Sequence, residues 1–307
     1  MKIAVPDLVT NSYFPAIAAV ELGFFQQEGL AATLEHVFPV PQTMAAMRDG
    51  QLDFVAGGAH ATLNAFPNWH GAKLLIALSQ GMYWLLVLRS DLAVERGDIN
   101  AIKGLRIGAA PGVDVGLRRL LAEAGIDPER DGVQIAPVPG ANQPGASFGV
   151  TAAKALEDGQ IDGFWANAMG AETAVRRGIG TIALDVRRGD GPPAAQFYTF
   201  AALVTTDRLI AQHPDAVAAA VRAIRNTQWA LKANPELATE VGHRRFPQAE
   251  AGMIADIIRR DLPFYDPVIS ADVVSHMNRF AQDIGLLTAP IPYEQVVYTD
   301  APPLWTA

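Results

Sequence analysis

No cysteine occurs in the chain. That absence removes thiol nucleophiles, Cys-ligated zinc and disulfides together. Charge is also scarce: 18% of the residues are Asp, Glu, Lys or Arg, and their balance is −8. An acidic chain lacks the basic face that nucleic acid requires, so no nucleic-acid partner is expected. No stretch reaches the roughly 18 uninterrupted apolar residues of a membrane span, so the chain is not expected to be membrane-embedded. An HExxH motif and a P-loop lysine motif are missing. The six histidines, at 36, 60, 70, 213, 243 and 276, show no ligand spacing. Neither a metal nor a cofactor is therefore expected.

What the chain holds in quantity is apolar residue, 50% of 307, enough for two domains with a core each. Up to about Ala201, short apolar runs of strand length alternate with helical periodicity. "IAVPDL" (Ile3 to Leu8) is followed by a helix from Tyr13 to Leu22, "ATLEHVF" by a helix from Pro41 to Arg48, and "DFVAGG" by a helix opening at Ala59-His60. "KLLIALS" and "YWLLVLR" read as buried strands. The alternation restarts at "LRIGAA", continues through "VQIAPV" and "IDGFWA" and ends at "TIALDV". Repeated β-α units build doubly wound sheets, and two sets of them predict two lobes of like plan. From Thr206 the pattern is nearly all helical, and this segment is expected to pack on the first lobe. The longest structureless stretch is "PVPGANQPGASFG" (137–149).

Between the first strand and the first helix, "VTNSYF" gathers Asn11 and Ser12 with Tyr13 and Phe14. Polar and aromatic residues recur at other strand-to-helix junctions. Gly57-Gly58-Ala59-His60 follow the third strand, Gly112-Val113-Asp114 open a second-lobe helix, and Trp165-Ala166-Asn167 follow a second-lobe strand. Ligands of open α/β sheets sit at such carboxyl ends, under helix N-termini.

The segments "ELGFFQQEGL" and "MRDGQLDFVAGG" resemble the N-terminal lobe of periplasmic substrate-binding proteins, in the group for nitrate, sulfonates, taurine and thiamine-pyrimidine precursors. "KGLRIGAAPG" and "ALEDGQIDGFWA" resemble its second lobe. The resemblance implies an α/β fold of two lobes, each a doubly wound mixed sheet, with crossovers near Gln80 to Arg89 and Gln196 to Ala202. Residues 1–86 with 200–307 would form lobe one, and 87–199 lobe two. It implies a monomer that closes on a small-molecule ligand by hinge bending, with an ABC permease and ATPase as partners. The start "MKIAVPDLV", broken by Pro6 and Asp7, is a poor signal peptide. The location is expected to be periplasmic if an export signal was removed, and cytoplasmic otherwise.

The expected ligand-binding set is Asn11, Ser12, Tyr13, Phe14, Gly58, His60, Tyr83, Trp84, Asp114, Trp165, Asn167 and Tyr198, with no catalytic residue. Rings from both lobes would stack on a flat ligand. His60, at a helix start, is expected to be neutral, though such a histidine also commonly bonds within its own lobe. The lesser reading of Tyr13 and Phe14 is a staple at the helix start, and an aromatic inside a strand, such as Trp84, is usually core. Asp114 is an ordinary first-turn acid or else a group that repels anions; Arg118 and Arg119 lie a turn further on, at no junction. A neutral or cationic head group follows. "GASFG" (Gly145 to Gly149) matches a nucleophile elbow but lacks the strand directly before its serine, so Ser147 is not expected to be a nucleophile. "GIGTIA" precedes its strand and is a chance match to a dinucleotide fingerprint. The pyrimidine synthases related to this group carry a cysteine-rich iron motif, which this chain lacks. A cytosolic enzyme on the same fold, of the aromatic-acid decarboxylase or menaquinone-lyase type, and a cytosolic ligand sensor stand as rival readings.

Overall fold

The structure is a computed structural model that describes residues 1–306 apart from 142 and 144. Both of those fall in the long loop expected over 137–149, so that part of the loop lies outside the described residues. The described residues form ten strands: β1 (Lys2–Val5), β2 (Thr33–His36), β3 (Phe54–Gly58), β4 (Ala72–Ser79), β5 (Leu85–Arg89), β6 (Arg106–Ala109), β7 (Gln134–Ala136), β8 (Gly163–Ala166), β9 (Gly180–Asp185) and β10 (Ala201–Thr206).

They make two five-stranded mixed sheets, ordered β2-β1-β3-β10-β4 and β7-β6-β8-β5-β9. In the first, β1 pairs parallel with β2 and β3, while β10 runs antiparallel between β3 and β4. In the second, β6 pairs parallel with β7 and β8, while β5 runs antiparallel between β8 and β9. The lobes thus share one plan, and each receives its antiparallel strand from the chain as it crosses over. The crossings are residues 80–84 and 186–200.

β3, β5 and β10 are almost wholly buried, which is why their sequences run apolar without alternation. The helical tail packs on the first lobe, as expected. Gln228 Nε2 donates to the Ala77 and Leu78 carbonyls at 2.9 and 3.0 Å, and Trp305 Nε1 to the Leu75 carbonyl at 2.9 Å. The tail also touches the second lobe, where Arg176 meets Asp256 at 2.8 Å and Arg260 meets Glu172 at 2.8 Å.

Two local elements differ from the sequence reading. The segment opening at Ala59 is a 3-10 helix, Ala59–Asn64, rather than an α-helix. The Ala59 N–H is taken by the Phe200 carbonyl, and Pro67 turns the chain after barely two turns. The helix after the long loop begins at Phe148, with Ser147 in extended conformation before it. Ser147 makes no side-chain cap there, because its hydroxyl points into the other lobe.

Candidate functional site

Between the lobes lies a cavity of about 40 Å3, room for a few waters. Its walls come from the carboxyl ends of parallel strands in both sheets, where open α/β sheets hold ligands. Pro6 and Asp7 follow β1, Ser12 and Tyr13 precede the Phe14–Glu21 helix, and Phe38 and Val40 follow β2. From the second lobe come Ala110 and Val113 after β6, Phe148 at its helix start, and Ala166 and Asn167 after β8. Trp84, in the first crossing, closes the ring.

Four of the expected site residues line this space: Ser12, Tyr13, Trp84 and Asn167. The Ser12 hydroxyl is buried and makes no hydrogen bond among the described residues. Asn167 caps its helix, accepting from the Met169 and Gly170 amides at 3.0 and 3.2 Å. Tyr13 donates to or accepts from Tyr83 across 3.3 Å between hydroxyls. Burial pushes both phenols far above their ordinary range, so both stay neutral.

A second group stands one layer behind. Tyr83 packs edge-on to Tyr13 and Trp84, and Trp165 lies 6.4 Å behind Trp84, its Nε1 unpartnered among the described residues. His60 is edge-on to Trp84 and Phe280, with Nδ1 2.9 Å from Thr199 Oγ1. Burial drives its pKa down to about 4, against a backbone hydrogen bond at Gly112 that pulls it up, so it is neutral. A Cβ on Gly58 would stand 3.0 Å from the Tyr83 hydroxyl, a contact the tyrosine would have to yield slightly to admit.

The remaining four lie elsewhere. Phe14 is fully buried against Phe246 in the first lobe's core. Asn11 donates to Asp261 at 2.6 Å, and Asp261 also takes Arg187 at 2.6 Å, a buried pair that ties the second crossing to the tail. Asp114 accepts from the Gly112 amide at 3.1 Å and pairs with Arg118 at 2.9 Å, outside the cavity wall. Tyr198 stacks on Phe280 at 4.7 Å and bonds Glu123, at the second crossing.

Sequence reasoning missed the wall rings Phe38 and Phe148 and, among the polar groups, Asp7. It is buried, accepts from the Val9 amide at 2.9 Å and, across the lobes, from the Ser147 hydroxyl at 2.9 Å. Burial is the main cause that pushes its pKa up to about 7, against the pull of Ser147, Val9, Phe148 and Asn167. The available signal was a lone carboxylate ending an apolar strand. Among the described residues lining the cavity none is basic, and no cluster of three His, Asp or Glu is placed to hold a metal.

The architecture is shared with solved structures. The alkanesulfonate-binding protein of Xanthomonas axonopodis pv. citri, bound to MOPS, superposes with a TM-score of 0.70 at 15% identity, covering 97% of each chain. The periplasmic nitrate-binding protein of Synechocystis PCC 6803 gives 0.70 at 17% identity, over 99% of this chain and 86% of that one. The desulfurization enzyme DSZB gives 0.63 at 16% identity, over 97% of this chain and 96% of that one. At such identities the likeness establishes the two-lobed periplasmic-binding-protein fold, which carries both binders and an enzyme. Comparison with curated proteins returns no match. The family model described as NMT1-like matches residues 2–244, and the chain belongs to the NMT1-like family.

Proposed function

We propose that this protein is the solute-binding component of an ABC importer, which captures a small planar organic ligand with a neutral or cationic head group by closing its lobes. The observation that carries the reading is the cavity itself. It lies where two sheets of one plan present their strand ends to each other, and it joins rings (Tyr13, Trp84, Phe38, Phe148) to a few polar groups (Asp7, Ser12, Asn167). Such a mixture of apolar wall and sparse directed polarity suits a small-molecule site. The cavity's 40 Å3 is too little for a ring-bearing molecule, so the ligand enters with the lobes apart. Two narrow crossings, 80–84 and 186–200, suit a hinge.

On this reading a permease and an ATPase are the partners, the protein works as a monomer in the periplasm, and no chemistry is required of the site. A carboxylate in the wall with no basic residue beside it disfavours nitrate or a simple sulfonate, because an unpaired buried anion there costs several kcal/mol. The test is native mass spectrometry of the purified protein for a retained small molecule, with small-angle scattering before and after the molecule is removed. The ligand-bound form should have the smaller radius of gyration. An unchanged radius with the ligand demonstrably bound would refute the clamp.

A further inference from the structure

We infer that Asp7 is the counter-charge for a protonated nitrogen on the ligand, so that the cleft selects compact planar organic cations over neutral and anionic molecules of the same shape. The inference rests on the solute-binding reading above and names its ligand class.

Of the other buried acids, three meet arginine, while Glu250 makes no salt bridge among the described residues. Asp162 is 2.9 Å from Arg106, Asp185 is 3.2 Å from Arg188, and Asp261 is 2.6 Å from Arg187. Asp7 is as buried as these, yet among the described residues it makes no salt bridge, and its donors are all uncharged: the Val9 amide and the Ser147 hydroxyl, with the Phe148 amide and the Asn167 side chain also contributing. A carboxylate withdrawn from water without a cation is costly, and a cation arriving with the ligand would relieve that cost. The structure also lets Asp7 release its present donor. Ser147 Oγ lies 2.9 Å from Asp7 Oδ2 and 3.4 Å from the Val9 carbonyl, so the hydroxyl has a second acceptor when a ligand N–H takes the carboxylate.

Two further features favour a cation. Ser12 Oγ, buried and unpartnered among the described residues, stands in the same wall as an acceptor for a second N–H. Tyr13, Phe38, Trp84 and Phe148 line the same space, and aromatic rings attract organic cations placed over their faces. The titratable neighbours of Asp7 do not supply the missing charge. Tyr13 is held neutral, and His36 turns its Nε2 to the Pro6 carbonyl at 3.2 Å.

Benzamidinium, benzamide and benzoate share a shape and differ in charge. In titration calorimetry at pH 7.5, benzamidinium should bind at least about tenfold more tightly than benzamide, a margin of about 1.4 kcal/mol, with no saturable binding of benzoate. Asp7→Asn, checked for folding by circular dichroism, should remove that margin. The wild-type protein gives a second measurement should the variant not fold. Below pH 7, where free Asp7 holds a proton, benzamidinium must displace it, so close to one proton is released per binding event at pH 6 and almost none at pH 8.5. Preference for benzamide or benzoate, an Asp7→Asn margin within twofold of wild type, or no proton release at pH 6 would each overturn the charge assignment while leaving the cleft a binding site. Binding of none of the three also overturns it. The solute-binding reading then stands or falls separately, on the retained molecule sought by native mass spectrometry.

Discussion

Ser147, at the head of a second-lobe helix, donates its hydroxyl to Asp7, at the end of the first lobe's first strand, across 2.9 Å. The bond joins the lobes at a residue of the cavity wall, in addition to the tail's pairs Arg176–Asp256 and Arg260–Glu172. Ser147→Ala removes it. We expect the ligand-free variant to show a larger radius of gyration than wild type, with benzamidinium affinity changed by less than about tenfold. No turnover is lost, because Ser147 has no strand directly before it and no nucleophilic role. Labelling of wild-type Ser147 by a fluorophosphonate probe would contradict this directly.

Asp7 and His60 set opposite pH dependences. The carboxyl is raised from 3.8 to about 7, so the native state binds the extra proton. Its contribution is fully present below about pH 4 and is lost as pH rises through 7, on the order of 4 kcal/mol. His60 is lowered from 6.5 to about 4. Its contribution is present above pH 6.5 and is lost as pH falls through 4, on the order of 3 kcal/mol. Urea unfolding from pH 4 to 8 should show partial cancellation in wild type. In Asp7→Asn, stability should fall steadily as pH drops below 6.5, and in His60→Gln it should fall as pH rises to 7. Flat profiles in both variants would show that neither group is shifted.

The helices Phe148–Glu157 and Ala168–Arg176 touch backbone to backbone. A Cβ on Gly170 would stand 2.7 Å from Gly149 Cα. Gly170→Ala is therefore expected to destabilise by about 1–3 kcal/mol through overpacking. The first helix carries Ser147 and Phe148 and the second Asn167, so ligand affinity should fall with stability. Thermal melts and calorimetry on one sample check both, and a melting point within a degree of wild type would remove the argument.

Asp114 binds its own helix start and Arg118. Exposed pairs of this kind contribute little. Asp114→Asn should change stability by less than about 1 kcal/mol and leave the preference for benzamidinium over benzoate intact. Ser12→Ala, which removes an unpartnered wall hydroxyl, should instead weaken benzamidinium severalfold. Equal effects of the two substitutions in calorimetry would show that the cavity wall has been misplaced.

The β-α alternation was legible because runs such as "KLLIALS" report burial through local pattern alone, whereas the packing of the tail followed from the order of the elements. The cavity was legible only where a junction fell in one stretch, as at Ser12-Tyr13 and Trp165-Ala166-Asn167. Phe14 and Tyr13 are neighbours, yet one faces the Phe246 core and the other the cavity, a difference set by helix phase at its first residue. Asp7 was read as a break in an apolar run. Its partner lies 140 positions away, and no local pattern marks such a pairing. The antiparallel insertion of β10 between β3 and β4 was hidden for the same reason, since its ladder joins segments more than a hundred residues apart.

That insertion orders the birth of the molecule. β3 and β4 have no bond to each other; β10 supplies the seam between them. While the chain is being made, the first sheet stays split until Ala201–Thr206 has emerged. The second sheet, whose five strands all lie between Leu85 and Asp185, needs nothing made later. The strands Phe54–Gly58 and Ala72–Ser79 of the first sheet, though made earlier, have no seam until β10 follows.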